Sequence, residues 1–273
     1  MRCTSQKRTH VNDLATAWRG SSAGELCWLA ADGPAAVPVV PLFVDQPCVA
    51  LPLAHLPEID SLPDRAAFCV SAPTGPDGSS LVATGTISVS LDPRGTEFGG
   101  DLVEQEVLKH PPSRLRVGSL MARRENWWWM ARALVRLTKV DGVRELPARK
   151  RAEDAVLVRE RDSDVRVDVV TAEDWSAGPG QDVELWPRDG GGLDGRGDTV
   201  LVMGHQASPD FERWERWTRT GTLSGQTLRV TGADGGPEPD PRPYRLMERL
   251  RNHREVERAC RAGVAAVERR SRS

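Results

Sequence analysis

A short pattern occurs twice in this chain, and it restricts the possible fold more than any other feature. In the first half an apolar strand, AFCVSAP, leads through a loop to LVATGTISV; in the second, TVLVMGHQASP leads through a loop or short helix to WTRTGTLSG. Thr84-Gly85-Thr86-Ile87 thereby corresponds to Thr220-Gly221-Thr222-Leu223. Further upstream, CWLAADGPAAVPVV resembles VLVRERDSDVRVDVV in length and rhythm. Either two β-rich segments coincide, since strand patterns are short and degenerate, or the chain holds two related barrels or half-barrels packed as a pseudo-dimer.

The segments around the first copy have the composition of a β-meander. ELCWLAA, AAVPVVPLFV and CVALPL are rich in Val and Leu and are separated by turns at Asp32 to Pro34 and at Asp45-Gln46-Pro47. In SSLVATGTISVSL, Val82, Thr84, Thr86 and Ser88 alternate with Ala83, Gly85, Ile87 and Val89, a period of two with a glycine where the strand can bend. Helix is expected over residues 10–19, as a turn over 55–62, and in TEFGGDLVEQEVLKH, which Pro111-Pro112 stops. The second half of SRLRVGSLMARRENWWWMAR also reads as helix. From Pro241 onward the chain reads as one helix with a narrow stripe of Val256, Cys260, Val264 and Val267. The expected fold is mainly β with added helices (α+β): a split β-barrel, extended to a tandem pair if the repeat is real, plus a C-terminal helix. A polar stretch around LPARKRAED sets the boundaries: a first domain over 1–146 with a helical insertion at 96–131, a second over 147–240, and the helix over 241–273.

Charge and cysteine usage exclude several classes. With 37 Lys and Arg against 39 Asp and Glu, no general basic face is available for nucleic acid, whose affinity is mostly released counterions. The five cysteines are odd in number and form no C-x-x-C pair, so neither a disulfide framework nor a zinc cluster is expected. No run approaches the roughly 20 apolar residues of a membrane helix, and nothing apolar follows the basic N-terminus to act as a signal core. A cytoplasmic protein with no membrane or nucleic-acid partner is the expectation.

The strand order in ELCWLAADGPAAVPVVPLFVDQPCVALPL, the short helix HLPEIDSL, and then AAFCVSAP and LVATGTISVSLDPRG resemble the pyridoxamine 5′-phosphate oxidase-like family of FMN-binding split barrels. The segment from Glu104 through the three tryptophans looks like an extension of an actinobacterial subset. The resemblance covers residues 20 to 140 and implies an FMN-dependent oxidoreductase, a small-molecule ligand and a homodimer with that ligand at the seam. One departure stands out. Where the family carries Ser or Thr with Lys or Arg for the flavin phosphate, this chain has ALPLAHLPEIDSL, with no cation. A phosphate of nearly two negative charges needs donors to offset its desolvation.

The candidate replacements are His55, Lys109, Arg114, Arg123, Arg124 and Arg132, with Trp127 and Trp128 as flat faces for the ring system. The competing expectation is that the tryptophans plug a barrel end, with arginines snorkelling around them. His205, after an apolar strand and a glycine, reads as a hydrogen-bonding loop residue; as a haem ligand it, or His55, would define a haem-binding barrel. A barrel that has lost its cofactor and serves as a binding or assembly module is the third alternative. Gly190 to Gly195 match a dinucleotide-binding expression but precede a strand, not a helix, and so read as a loop. No catalytic acid or base stands out.

Overall fold

The computed structural model describes residues 13–73, 79–110, 112–113 and 128–272. A helix over residues 13–20 (α1) precedes β1 (Gly24–Ala30), β2 (Gly33–Val39), β3 (Leu42–Val44) and β4 (Gln46–Pro52). A 3-10 turn (Leu53–His55) runs into α2 (Leu56–Asp60), followed by β5 (Arg65–Val70) and β6 (Leu81–Asp92). A π-helical turn (Phe98–Leu102) opens α3 (Val103–Lys109), and β7 (Arg132–Glu145) completes the first sheet. The second sheet comprises β8 (Ala155–Arg161), β9 (Asp164–Thr171), β10 (Asp182–Glu184), β11 (Trp186–Pro187), β12 (Gly195–Ala207), β13 (Trp214–Gly225) and β14 (Thr227–Asp234). A 25-residue helix, α4 (Leu246–Arg270), closes the described chain. The fold is mainly antiparallel β with added helices, as the sequence predicts.

The sheets run β2-β1-β5-β6-β7-β4-β3 and β9-β8-β12-β13-β14-β10, with β11 beside β9. Five consecutive strands therefore follow the same order in both, β1, β2, β5, β6 and β7 matching β8, β9, β12, β13 and β14. The match extends to single residues. In the first sheet Thr84 pairs with Gly142 and Gly85 with Val140, with a bulge between them. In the second, Thr220 pairs with Gly232 and Gly221 with Val230, again across a bulge. A Cβ on Gly85 would lie 1.9 Å from the Lys139 carbonyl oxygen, and one on Gly221 would lie 2.0 Å from that of Arg229. Both glycines are there because the partner backbone occupies the space of a side chain.

Packing between the sheets repeats the exchange. β2 lies on β12 while β9 lies on β5, β1 touches β9 while β8 touches β2, and β1 meets β8. This is the reciprocity of an isologous two-fold contact, here within one chain. It also explains why AAFCV, AVLV and VLVM are solidly apolar instead of alternating. Ala66, Phe68 and Val70 face the first barrel's interior, whereas Ala67 and Cys69 face the seam. Ala155, Leu157, Val200 and Val202 face the second interior, and Val156, Val158, Leu201 and Met203 the seam. Strands buried on both faces lose the polar alternation. Pro34 and Pro38 sit in β2, an edge strand where a missing donor costs no ladder bond.

Two local details differ from expectation. The turn at Asp45 is a single residue with φ of 58°, and Gln46 and Pro47 already belong to β4. His205 lies inside β12, paired with Arg216, and not in a loop. Gly204 does not end that strand; it admits the Trp217 ring, whose atoms come within 2.3 Å of where a Cβ would stand. α4 packs on the 3-10 turn through Gly263, where a Cβ would stand 2.0 Å from the Leu53 carbonyl oxygen.

Candidate functional site

Chemistry-bearing side chains come together at two places where the sheets meet. In the first, Glu25 of β1, Ser71 after β5, Arg149 of the connecting segment and His205 of β12 are all buried. Trp214 Nε1 donates to His205 Nδ1 (2.9 Å), and since indole can only donate, the imidazole hydrogen is assigned to Nε2. Nε2 then donates to Glu25 Oε1 (2.8 Å). Arg149 donates from Nη2 to the same Oε1 (3.2 Å) and from Nε to Ser71 Oγ (2.6 Å), and Ser71 Oγ donates to Glu25. Burial works to raise the Glu25 carboxyl, but the His205 hydrogen bond and the Arg149 charge outweigh it and hold it at about 2. Burial, with Arg149 beside it, pushes His205 below its ordinary value despite Glu25. The cluster is thus a carboxylate–guanidinium pair with a neutral histidine, whose Nε2 also lies 2.8 Å from Arg149 Nη2, the two donors converging on one carboxylate oxygen.

The second place is a cleft of about 410 Å³ between the β8–β9 hairpin and strands β6 and β7. Val82, Val143, Val165 and Val167 give it aliphatic walls, and Thr84 and Gly142 line it at the bulge. Arg144, Arg161 and Arg166 line it as well, with Asp162 and Asp164 on the hairpin. Arg166 Nε donates to Asp168 Oδ1 (2.8 Å), and Arg144 Nη2 reaches the same oxygen (3.3 Å). Arg159 contacts the other oxygen of Asp168 (3.4 Å) and also Asp198 (3.2 Å). One buried carboxylate therefore serves three guanidinium groups. Burial and the like charge of Arg166 hold Arg144 below its ordinary value. Asp164 is taken by Arg65 (2.8 Å). The Arg161 side chain has no hydrogen-bond or ion-pair partner among the described residues. Positive charge is left over.

The residues that the sequence nominates for the phosphate do not converge. Lys109 ends α3 with its ammonium donating to the carbonyls of Trp18 (3.0 Å) and Pro41 (2.7 Å), and burial lowers it to about 8. Arg132 is buried against Glu106 (3.5 Å) and over the Phe98 ring (4.3 Å). Trp128 is buried in a cluster with Phe98, Leu102, Leu134 and Cys260, edge-on to His253. His55 is half-exposed beside Glu58 (3.7 Å). Arg114, Arg123, Arg124 and Trp127 lie outside the described residues. Both nitrogens of His205 are engaged inside the protein, which leaves none to bind iron. Among the described residues no group of metal-ligating side chains assembles, and no described helix is long and apolar enough to cross a membrane.

Sequence reasoning passed over Arg144, Arg161 and Arg166. A signal was present in the repeat itself. Residues 28 to 36, WLAADGPAA, stand where the second copy has RERDSDVRV, so subtracting one copy from the other picks out Arg159, Arg161 and Arg166.

No family model and no curated protein matches the chain. Among solved structures, a pyridoxamine 5′-phosphate oxidase-related, FMN binding protein from Nostoc punctiforme is similar, at 11% identity over 82% of this chain and 96% of that one, with a TM-score of 0.29. A likeness at that level transfers no site, and the function must be argued from the cleft.

Proposed function

We propose that this protein binds a phosphorylated planar ligand of the flavin mononucleotide type in the cleft of Arg144, Arg161 and Arg166. The observation that carries this reading is Arg161, without a partner among the described residues, beside two guanidinium groups that share one carboxylate. A phosphate there would meet charge-assisted donors, and Thr84 adds a hydroxyl at the cleft floor. The aliphatic walls suit an apolar ring system, and Gly142 leaves room for its approach. The residues present thus fit the group. Flavin, when bound, supplies redox chemistry of its own; the chain's part is to hold the phosphate, shape the slot and exclude water. In this reading the chain acts as a flavin-dependent oxidoreductase built from two copies of one unit, over 1–146 and 147–240.

The second reading is a cofactor-free binding or assembly module. It is favoured by the commitment of Lys109 and Arg132 to buried partners. Visible absorption of the purified protein and titration with FMN and riboflavin separate the two. Flavin binding predicts retention of FMN, with riboflavin, which lacks the phosphate, held at least about 10-fold more weakly. Equal affinities, or none, would favour the cofactor-free module.

A further inference from the structure

The pseudo-two-fold arrangement creates a second cleft. Opposite the one just described, the β1–β2 hairpin covers strands β12 and β13 and encloses about 390 Å³, lined by Trp28, Asp32, Ala35, Glu58, Arg216 and Thr218 among others. Register fixes how the two clefts correspond. Ala30 pairs with Gly33 at the tip of one hairpin as Arg161 pairs with Asp164 at the tip of the other. Trp28 opposite Ala35 matches Arg159 opposite Arg166. Counting from the paired bulges, Arg144 of β7 matches Asp234 of β14. The second cleft therefore has Ala30 and Ala35 where the first has Arg161 and Arg166, while Asp234, at the position of Arg144, lies outside its lining. The second cleft has one guanidinium, Arg216, facing two carboxylates, Asp32 and Glu58.

We infer that the two clefts are unequal in function: the chain holds a single phosphate-bearing ligand, between Arg144, Arg161 and Arg166, although its symmetry offers two places. This deepens the proposed function and rests on it. Both clefts lie beneath a hairpin at equivalent hairpin positions, and Pro57, Glu58 and Ser61 wall the second alone. For a dianion the difference that matters is charge. A dianion entering the second cleft meets one cation against two carboxylates, whereas the lining of the first has three cations against Asp162 and Asp164, the latter already paired with Arg65. Arg144, Arg161 and Arg166 are thus the residues that choose the occupied side.

Isothermal titration of the full chain with FMN, at low ionic strength, reads the number of sites directly. One equivalent per chain is expected. Two equivalents would overturn the inference and leave the flavin reading standing, while no binding would remove both. Arg161→Ala combined with Arg166→Ala, with folding checked by circular dichroism, is expected to weaken FMN at least about 10- to 100-fold. Arg216→Ala, which removes the cation of the other cleft, is expected to leave affinity within about twofold. The reverse pattern, with Arg216 essential and the pair dispensable, would also overturn the inference.

Discussion

The seam between the two sheets handles charge in two different ways. Around Glu25 and His205 the carboxylate, guanidinium, hydroxyl and imidazole are buried and each has a partner: carboxylate with guanidinium, hydroxyl with both, imidazole between the carboxylate and the half-buried Trp214 indole. In the cleft under the β8–β9 hairpin, Arg144 and Arg166 are more than a third exposed, they share one carboxylate with Arg159, and Arg161 is unanswered among the described residues. The first arrangement holds the sheets together. The second is under-compensated, which costs stability or is relieved by something bound. A structural role and a binding role can thus be told apart by asking whether each charge is already satisfied.

Several perturbations would break or sharpen that contrast. The largest effect is expected from Arg149→Ala, which strands the Glu25 carboxylate in the interior; chemical denaturation should show a loss of about 3–5 kcal/mol. Next come Gly85→Ala and Gly221→Ala, each forcing a methyl group onto a carbonyl oxygen. Each should destabilise by about 3 kcal/mol, and by similar amounts, because the two bulges are equivalent; a large disparity would show that the sheets are not alike at this point.

A smaller effect belongs to pH. The folded state holds His205 below its unfolded value of 6.5, so it must give up a proton that the unfolded chain keeps; its contribution is complete above pH 6.5 and falls as acid is added. Glu25, held at about 2 against 4.5 when unfolded, adds a second loss beginning below pH 4.5 and running down through 2. In His205→Gln, whose amide can still accept from Trp214 and donate to Glu25, the first step should vanish from a stability–pH curve and the second remain. The smallest effect on folding is expected from Arg161→Ala, within about 0.5 kcal/mol, since that side chain has no hydrogen-bond or ion-pair partner among the described residues.

How much of this could be read from the sequence depends on the range of the interactions. The β-rich class, the proline stop after α3 and the apolar stripe of α4 follow from local periodicity and turn chemistry. Gly85 and Gly221 stand out through the shared Thr-Gly-Thr, though only the structure shows that each yields to a carbonyl from the next strand. Gly204 misled: beside His205 it looks like the end of a strand, yet it makes room for Trp217. Glu25 gives no local sign of its role. Its partner His205 lies 180 residues away, and only the meeting of the two sheets brings them together. Lys109 and Arg132 looked available because sequence does not show which cations are already bound to carbonyls or carboxylates.

The most direct check is a crystal of the full chain soaked with FMN. The account predicts difference density for one phosphate beside Arg161, with the ring system against Val82, Val143 and Val165, and nothing under the β1–β2 hairpin. Density that lies beside Trp28 and Arg216, or elsewhere on the molecule with the arginine cleft empty, would contradict it.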